Sequence, residues 1–425
     1  MGWFPTARND QNGWQFDILT LLAVLGESIM EKHVLPITAS SFAALPRLLP
    51  APQTALSTER RSRLPSVPDV VVAGVHSGSY FTELNYFADV LHNVRSLKPY
   101  EFRVYEVSYS ENNGSQRSRR WWPRGSGFFG KGGGDGHTQP GDVETRPAYA
   151  MTFATTLPPE EINLPVKPFS PLNLVTYVSV LITLGLFIAS IILHDGVSAL
   201  ALVTMSISTS LGCLSSQWRP MLTRRPVSSD VPPGDVVINT RAGAFVVVKC
   251  DEDITRELYG GVQTCNYVFS SWTHRVLLGF STVLLMASVL LFSNCKWTMQ
   301  AATAVTYIVL NVMYWAIPMV MHDRDTWDMS RYNFRRCLDR EPGYTKEPSY
   351  TQALWYAIRE TREIEWVEHA KLAPNSPYWK MWLQEAKENI DNEGWDPVEA
   401  KNALMREARR VALLSRANAA TTGPP

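Results

Sequence analysis

The chain has 425 residues, and its 40 Lys and Arg residues balance its 40 Asp and Glu residues, so overall charge gives no reason to expect a nucleic-acid partner. The five cysteines are scattered and show neither a CxxC pair nor a Cys/His metal spacing, which excludes a disulfide framework or a zinc site as the basis of the fold. No sequence pattern for another metal or cofactor occurs, and we expect none.

Residues 1–168 predict an α+β region on the cytoplasmic side of a membrane. It opens with an amphipathic helix in which Ile18, Leu21, Leu22, Leu25 and Ile29 recur at helical spacing. A continuous apolar strand, Asp69–Gly74, is followed by a helical pattern and a second strand, Phe102–Val107. The helical pattern comprises Phe81, Leu84, Phe87 and Leu91. This order predicts a βαβ unit.

The turn after the first strand is the candidate ligand site, formed by Gly74, His76, Ser77, Gly78 and Ser79. If a helix starts there, its free backbone N–H groups can bind an anion. The turn matches neither GxGxxG nor a Walker pattern, and a capped turn without a ligand is the alternative. His76 and Ser77 as a catalytic pair would need an acid partner that the spacing does not identify.

Residues 110–147 are rich in Gly, Ser and Arg and predict a disordered loop. Its basic and aromatic cluster, Arg117–Arg124, is a candidate for contact with anionic lipid, against the alternative of a solvated loop.

Four apolar runs without charge predict transmembrane helices: Leu172–Leu193, Val197–Leu214, Val276–Phe292 and Met299–Met321. At about 1.5 Å per residue each run is long enough to cross roughly 30 Å of hydrocarbon. Only three residues separate the first two runs and only 293–298 the last two, so residues 169–215 and 275–321 are predicted to form two transmembrane hairpins.

The charges of the connecting segments predict the orientation of these hairpins. Residues 216–274 and the stretch after the fourth run are rich in Arg and Lys, whereas the short connections contain only Lys296. The positive-inside rule therefore places both termini in the cytosol. Trp218, Trp272 and Trp327 are then expected at the cytoplasmic membrane interface and Trp297 at the opposite one.

Small and polar residues within the spans predict helix packing. Ser206, Ser208, Ser210 and Gly212 form small-xxx-small pairs in the second span, and Asn311 of the fourth span is expected to form an interhelical hydrogen bond. An ion path along the Ser/Thr face is the alternative, although no span contains a charged residue or His.

The remaining segments are predicted to be cytoplasmic. Residues 216–274 predict a β-hairpin of Val236–Thr240 and Ala244–Lys249, a short helix capped by Asp251, and a third strand near Cys265. Residues 322–425 predict three amphipathic helices: Tyr350–Ala370, Pro377–Ile390 and Pro397–Ala417.

Several stretches together resemble an uncharacterised family of four-pass integral membrane proteins of filamentous fungi. They are Gly2–Phe4, Ala23–Ser28, Gly74–Ser79, Lys167–Leu172, His194–Gly196, Pro233–Val237, Glu257–Tyr259 and Leu354–Thr361. The resemblance implies the same two-hairpin plan with a cytoplasmic insert. It assigns no catalytic or binding residue.

The expected function is therefore that of a non-enzymatic membrane scaffold or interaction protein, because large cytoplasmic segments flank an uncharged bundle. Its expected partners are the lipid bilayer, a cytoplasmic protein and anionic lipid. A small transporter or channel subunit, with the Ser/Thr face of the second span along a pathway, is the first alternative. A membrane-bound enzyme using His76 and Ser77 is the second.

Overall fold

The computed structural model describes residues 27–56, 59–110, 160–224, 233–320, 323–338, 349–392 and 394–421. The helices in these ranges are α1 (Glu27–Ala39), α2 (Tyr86–His92), α3 (Pro171–Ile192), α4 (Gly196–Ser215), α5 (Glu252–Ile254), α6 (Ser271–Phe292), α7 (Trp297–Val320), α8 (Tyr350–Thr361), α9 (Glu365–His369), α10 (Pro377–Glu388) and α11 (Pro397–Thr421). The strands are β1 (Val67–Gly74), β2 (Tyr80–Leu84), β3 (Phe102–Tyr109), β4 (Glu160–Asn163), β5 (Trp218–Arg224), β6 (Val236–Thr240), β7 (Phe245–Lys249), β8 (Gln263–Tyr267) and β9 (Tyr332–Arg336). The predicted loop 110–147, apart from its first residue, and most of the predicted helix around Leu22 lie outside the described residues.

Four helices among the described residues are long and apolar enough to cross a membrane: α3, α4, α6 and α7. Large apolar side chains such as Leu181, Leu290 and Val305 are exposed on their outer surfaces, as lipid contact requires. The four predicted spans are therefore confirmed as helices of transmembrane length.

A segment outside these helices also enters the bundle. We call residues 40–56 the inserted segment. It starts where Ser40 donates a hydrogen bond to Asn173 in the first turn of α3, 2.7 Å away. It then reaches the middle of α3, where the Leu48 amide donates to the Thr183 hydroxyl at 3.0 Å. It returns to the same end, where Ala55 lies against Gly212 in the last turn of α4. The inserted segment is therefore re-entrant.

The main sheet has six strands in the order β2-β1-β6-β7-β3-β9. Strands β7 and β3 are parallel, and every other neighbouring pair is antiparallel. It follows that β1 and β3 run in the same direction, but β6 and β7 lie between them. The predicted βαβ unit is therefore wrong as a contiguous unit, because the segment between the second and third spans supplies the two central strands.

The predicted helical pattern through Phe81 and Leu84 is also wrong. These residues form strand β2, in which Phe81 pairs with Val72 and Tyr80 with Ala73 of β1, and the helix starts only at Tyr86. Four apolar residues matched the helical spacing by chance. Hydrogen bonding to β1 stabilises the strand more than this spacing favours a helix.

A second sheet of order β4-β5-β8 lies beneath one face of the first. The third strand predicted near Cys265 is β8, and it pairs with β5 rather than with the β6-β7 hairpin. Trp218 and Trp327 are buried in the core between these elements, 3% and 1% exposed. Protein therefore encloses these two rings and they do not face lipid, whereas Trp272 and Trp297 are exposed at the starts of α6 and α7.

The C-terminal helices cover the other face of the main sheet. Trp355, Trp366 and Trp382 are buried there against β-strand residues such as Val247. The first predicted C-terminal helix is two helices, α8 and α9, because Arg362 adopts a left-handed conformation, with φ of 60°, that ends α8.

Candidate functional site

A cleft of about 740 Å³ opens at one end of the main sheet. It includes part of the predicted ligand site, residues 74–79, which we call the candidate turn. Such a volume is typical of small-molecule sites. Three chain segments line it, namely the β1–β2 turn, the approach to β6, and α5 with the π-helical turn Thr255–Gly260 that continues it. The lining residues are His76, Ser77, Ser79, Phe81, Pro233, Gly234, Asp235, Glu252, Thr255, Arg256, Gly260, Gly261 and Val262.

The candidate turn connects two antiparallel strands, so the prediction that it starts a helix is wrong. Its backbone N–H groups therefore gain no helix dipole for binding an anion. Gly78 has φ of +63°, the left-handed region that glycine adopts without strain. His76, Ser77 and Ser79 are exposed, so the turn is open to solvent and not sealed under side chains.

The cleft brings His76 close to an acid partner from a distant segment. The Nε2 atom of His76 lies 4.0 Å from Oδ2 of Asp235, which precedes β6. Burial raises the pKa of the Asp235 carboxyl above its ordinary value, while its hydrogen bond from the Cys250 amide and the nearby Lys249 and His76 partly offset this effect. Ser77 is hydrogen-bonded to Ser79, with 2.7 Å between their hydroxyl oxygens. This arrangement differs from a Ser-His-Asp relay, in which the serine bonds to the histidine.

The opposite wall depends on a close approach of two backbones. A Cβ atom on Gly234 would lie 2.4 Å from Cα of Glu252, so only glycine fits there. Above this contact, Arg256 pairs with Glu252 one turn earlier. Cys250 lies beneath, and burial raises its pKa to about 12, so its thiol is protonated at neutral pH and is a poor nucleophile.

A buried carboxylate holds the π-helical turn in place. The Glu257 side chain is fully buried and accepts hydrogen bonds from Tyr109, at 2.9 Å, and from Tyr332. Arg331 lies 3.4 Å from the same carboxylate. Burial, and then the Glu257 charge, raise the pKa of Tyr332. Because Glu257 points inward, Thr255 and Arg256 of the same turn face the cleft.

Most of the predicted packing residues of the second span contact α6 or the inserted segment. Ser208 and Ser281 of α6 exchange hydrogen bonds with each other's carbonyl oxygens, at 2.7 Å in both directions. Ser210 donates to the Ala44 carbonyl of the inserted segment. The Ser206 hydroxyl is buried in the bundle and has no protein partner among the described residues.

Gly212 and Asn311 complete this set. Gly212 lies against Leu56 and Ser281, so it admits both the inserted segment and α6. The Asn311 amide donates at 3.0 Å to the Tyr307 carbonyl of its own helix, and its side-chain oxygen has no partner among the described residues, so the expected interhelical hydrogen bond does not form within this chain. The helix backbone satisfies this donor locally.

Sequence reasoning missed Asp235, Arg256 and the inserted segment. Asp235 and Arg256 are remote in sequence from the candidate turn, and only the strand order brings them to it. The inserted segment did leave a signal, because residues 34–56 are largely apolar, with four prolines and with Arg47 as their only charged residue. Such a broken apolar stretch is typical of re-entrant membrane segments.

No protein-family model, curated protein or solved structure matches this chain. The resemblance to a fungal membrane family therefore stays a prediction. Within the described ranges, no three His, Cys, Asp or Glu side chains gather as ligands for a metal ion.

Proposed function

We propose that this protein is a non-enzymatic, four-pass membrane scaffold whose cytoplasmic domain, built around the main sheet, binds an extended segment of a partner protein in the cleft. The four spans cross as two hairpins, with both short connections on the far side of the membrane and both termini in the cytosol. The excess of Arg and Lys in the long segments supports this orientation.

One observation carries the proposal: the cleft lies beside β2, an edge strand of a sheet assembled from segments before, between and after the spans. Within the described part of the chain, β2 pairs only with β1. Tyr80 and Phe81 on this strand are exposed aromatic side chains, 45% and 39%. An edge strand beside exposed aromatic side chains suits a peptide that adds one more strand.

Chemistry within the cleft supports binding rather than catalysis. The Cys250 thiol is protonated, the Ser77 hydroxyl bonds to Ser79, and His76 is 4.0 Å from Asp235. None of these groups is arranged as an activated nucleophile.

A photo-crosslinking amino acid at Phe81 tests this proposal in intact cells. We expect it to cross-link a partner protein that the same amino acid at Asn333, exposed on the opposite edge strand β9, does not. Adding Val262→Asp, a charge at the exposed cleft wall, is expected to abolish the cross-link. Equal cross-linking from both edges, or no effect of Val262→Asp, would refute partner binding in the cleft.

A small transporter or channel subunit is the second candidate, and the inserted segment favours it. Irregular backbone at membrane depth occurs where it is buried in protein or lines a water-filled cavity, as in channels and transporters. Ion flux in reconstituted vesicles that Ser206→Leu abolishes would favour this candidate over the scaffold.

A further inference from the structure

The inserted segment buries an arginine inside the membrane bundle. Arg47 is 2% exposed, and its backbone carbonyl accepts a hydrogen bond of 2.6 Å from Thr209, beyond the midpoint of α4. The adjacent Leu48 is bonded to the middle of α3 through Thr183. These two anchors place Arg47 well below either membrane surface.

The guanidinium of Arg47 is only partly satisfied by the protein. Its Nη1 donates to the carbonyl oxygens of Phe42 and Leu45, at 3.1 and 3.3 Å, which fixes the side chain against its own segment. Its Nε is buried without a hydrogen-bond partner. Across the described ranges, no carboxylate pairs with it.

A charge in this position needs compensation. A guanidinium stays protonated in proteins, so Arg47 cannot escape burial by losing its proton. The carbonyl dipoles of Phe42 and Leu45 orient the guanidinium but do not neutralise its positive charge. An uncompensated charge in a bilayer interior is strongly unfavourable. The missing partner is therefore expected to be an anion.

A second donor lies beside Arg47. The Tyr314 hydroxyl of α7 is a close neighbour of the guanidinium, and Tyr314 is fully buried. The His33 ring lies 5.8 Å from the Tyr314 ring, and its Nε2 is 3.2 Å from the Tyr314 carbonyl, which fixes this part of α7. The phenolic O–H and the guanidinium N–H groups are all hydrogen-bond donors, and neighbouring donors are the chemistry that binds an anion.

The bundle interior contains more polar groups further along. The hydroxyls of Ser206, Thr303 and Tyr307 are buried without protein partners in the described structure. Buried hydroxyls without protein partners are usually satisfied by internal water. A hydrated interior gives a small anion a way to reach Arg47.

We propose that Arg47 and Tyr314 form a membrane-embedded site for a small inorganic anion such as chloride. Both side chains are closed off from the outer surface of the bundle, so the site takes an ion of one or a few atoms and not a lipid headgroup. This site is separate from the cleft and does not depend on partner binding there.

Thermal unfolding of the purified full-length protein in neutral detergent tests this site. Sodium chloride or sodium bromide is compared with sodium gluconate at equal ionic strength, because gluconate is too large to enter. We expect the halides to raise the unfolding midpoint of the wild type by several degrees. Arg47→Met is expected to lose this shift, Arg47→Lys to retain most of it, and Tyr314→Phe to reduce it.

Tyr307→Phe is the matched control, since it removes the same group seven residues away, about 10 Å along the helix. It is expected to keep the full halide shift. If Arg47→Met fails to fold, the halide shift of Tyr314→Phe is compared with that of Tyr307→Phe, because both variants keep the aromatic ring. A smaller shift in Tyr314→Phe alone would support the site. A halide shift equal in every variant would overturn the proposal. A midpoint raised by phosphatidylglycerol but not by halide would also overturn it and assign the partner as a lipid headgroup.

Discussion

The carboxylate of Asp195 accepts a hydrogen bond of 2.8 Å from the backbone amide of Lys296, a residue 101 positions later in the chain. Asp195 precedes α4 and Lys296 precedes α7, so this contact joins the two short connections between the apolar helices. The Lys296 ammonium also donates to the Leu193 carbonyl at 2.7 Å. Both short connections therefore lie at one end of the bundle, and the inserted segment enters from the other.

Cysteine labelling is expected to place these two ends on opposite sides of the membrane. Asn294→Cys in the second short connection should react with a membrane-impermeant maleimide added outside intact cells. Thr82→Cys on the exposed strand β2 should react only after permeabilisation. The unmodified protein reports the reaction of the native thiols and is the control. The reverse pattern would invert the proposed orientation.

Loss of the Asp195 carboxylate is expected to destabilise the bundle. Its Oδ1 also accepts a hydrogen bond of 3.1 Å from the Ser198 amide. One side chain therefore caps α4 and also binds the connection between α6 and α7. Asp195→Ala should cost about 1–2 kcal/mol, and Asp195→Asn, which keeps one acceptor oxygen, should cost less. Thermal unfolding in detergent measures both. Equal losses would show that the acceptor oxygen retained by Asn contributes nothing.

Packing of the inserted segment predicts a large effect at Leu48. This side chain is fully buried in the cluster formed by residues such as Met205 and Leu310. Leu48→Ala should cost roughly 2–4 kcal/mol, because it leaves a cavity inside the bundle. Leu290→Ala, at a 67% exposed position on the lipid-facing surface of α6, is the matched control and should be close to neutral. Similar losses at both positions would contradict insertion of the segment.

The domain built around the main sheet is expected to lose stability in mild acid because of His92. Burial lowers the pKa of His92 to about 3, and its Nε2 lies 2.6 Å from the Tyr259 hydroxyl. Between pH 6.5 and 3 the unfolded state binds a proton that the folded state does not. Stability therefore falls as the pH decreases through this range, by about 2 kcal/mol between pH 6.5 and 5.

Hydrogen exchange of the β3 and β7 amides at several pH values measures this loss within the domain. His92→Gln keeps a hydrogen-bonding group but does not titrate, so its stability should be nearly constant between pH 6.5 and 5. An unchanged pH dependence in His92→Gln would assign the effect to other groups.

The sequence by itself determined the four helices of transmembrane length and several local elements. Lipid offers the backbone no hydrogen-bond partner, so a span must be a helix of apolar residues whose length alone is informative. The β6-β7 hairpin was equally predictable, since Gly243, with φ of +79°, closes a turn between two apolar runs. Helix starts were also predictable where a capping residue marks them. Ser376, for example, accepts a hydrogen bond from the Trp379 amide within the first turn of its helix.

Only the tertiary structure decided the strand order, the cleft and the position of Arg47. Strand β1 pairs with β6 about 165 residues later, and the candidate turn gains Asp235 through this pairing. Residues 40–56 carry prolines and a charge that a local pattern assigns to a connector, yet Thr183 and Thr209 supply the hydrogen bonds that let this segment enter the bundle. Sequence periodicity reflects the hydrogen bonds and the packing face of one segment alone. The strand order, the cleft and the position of Arg47 depend instead on hydrogen-bonding groups that other segments provide.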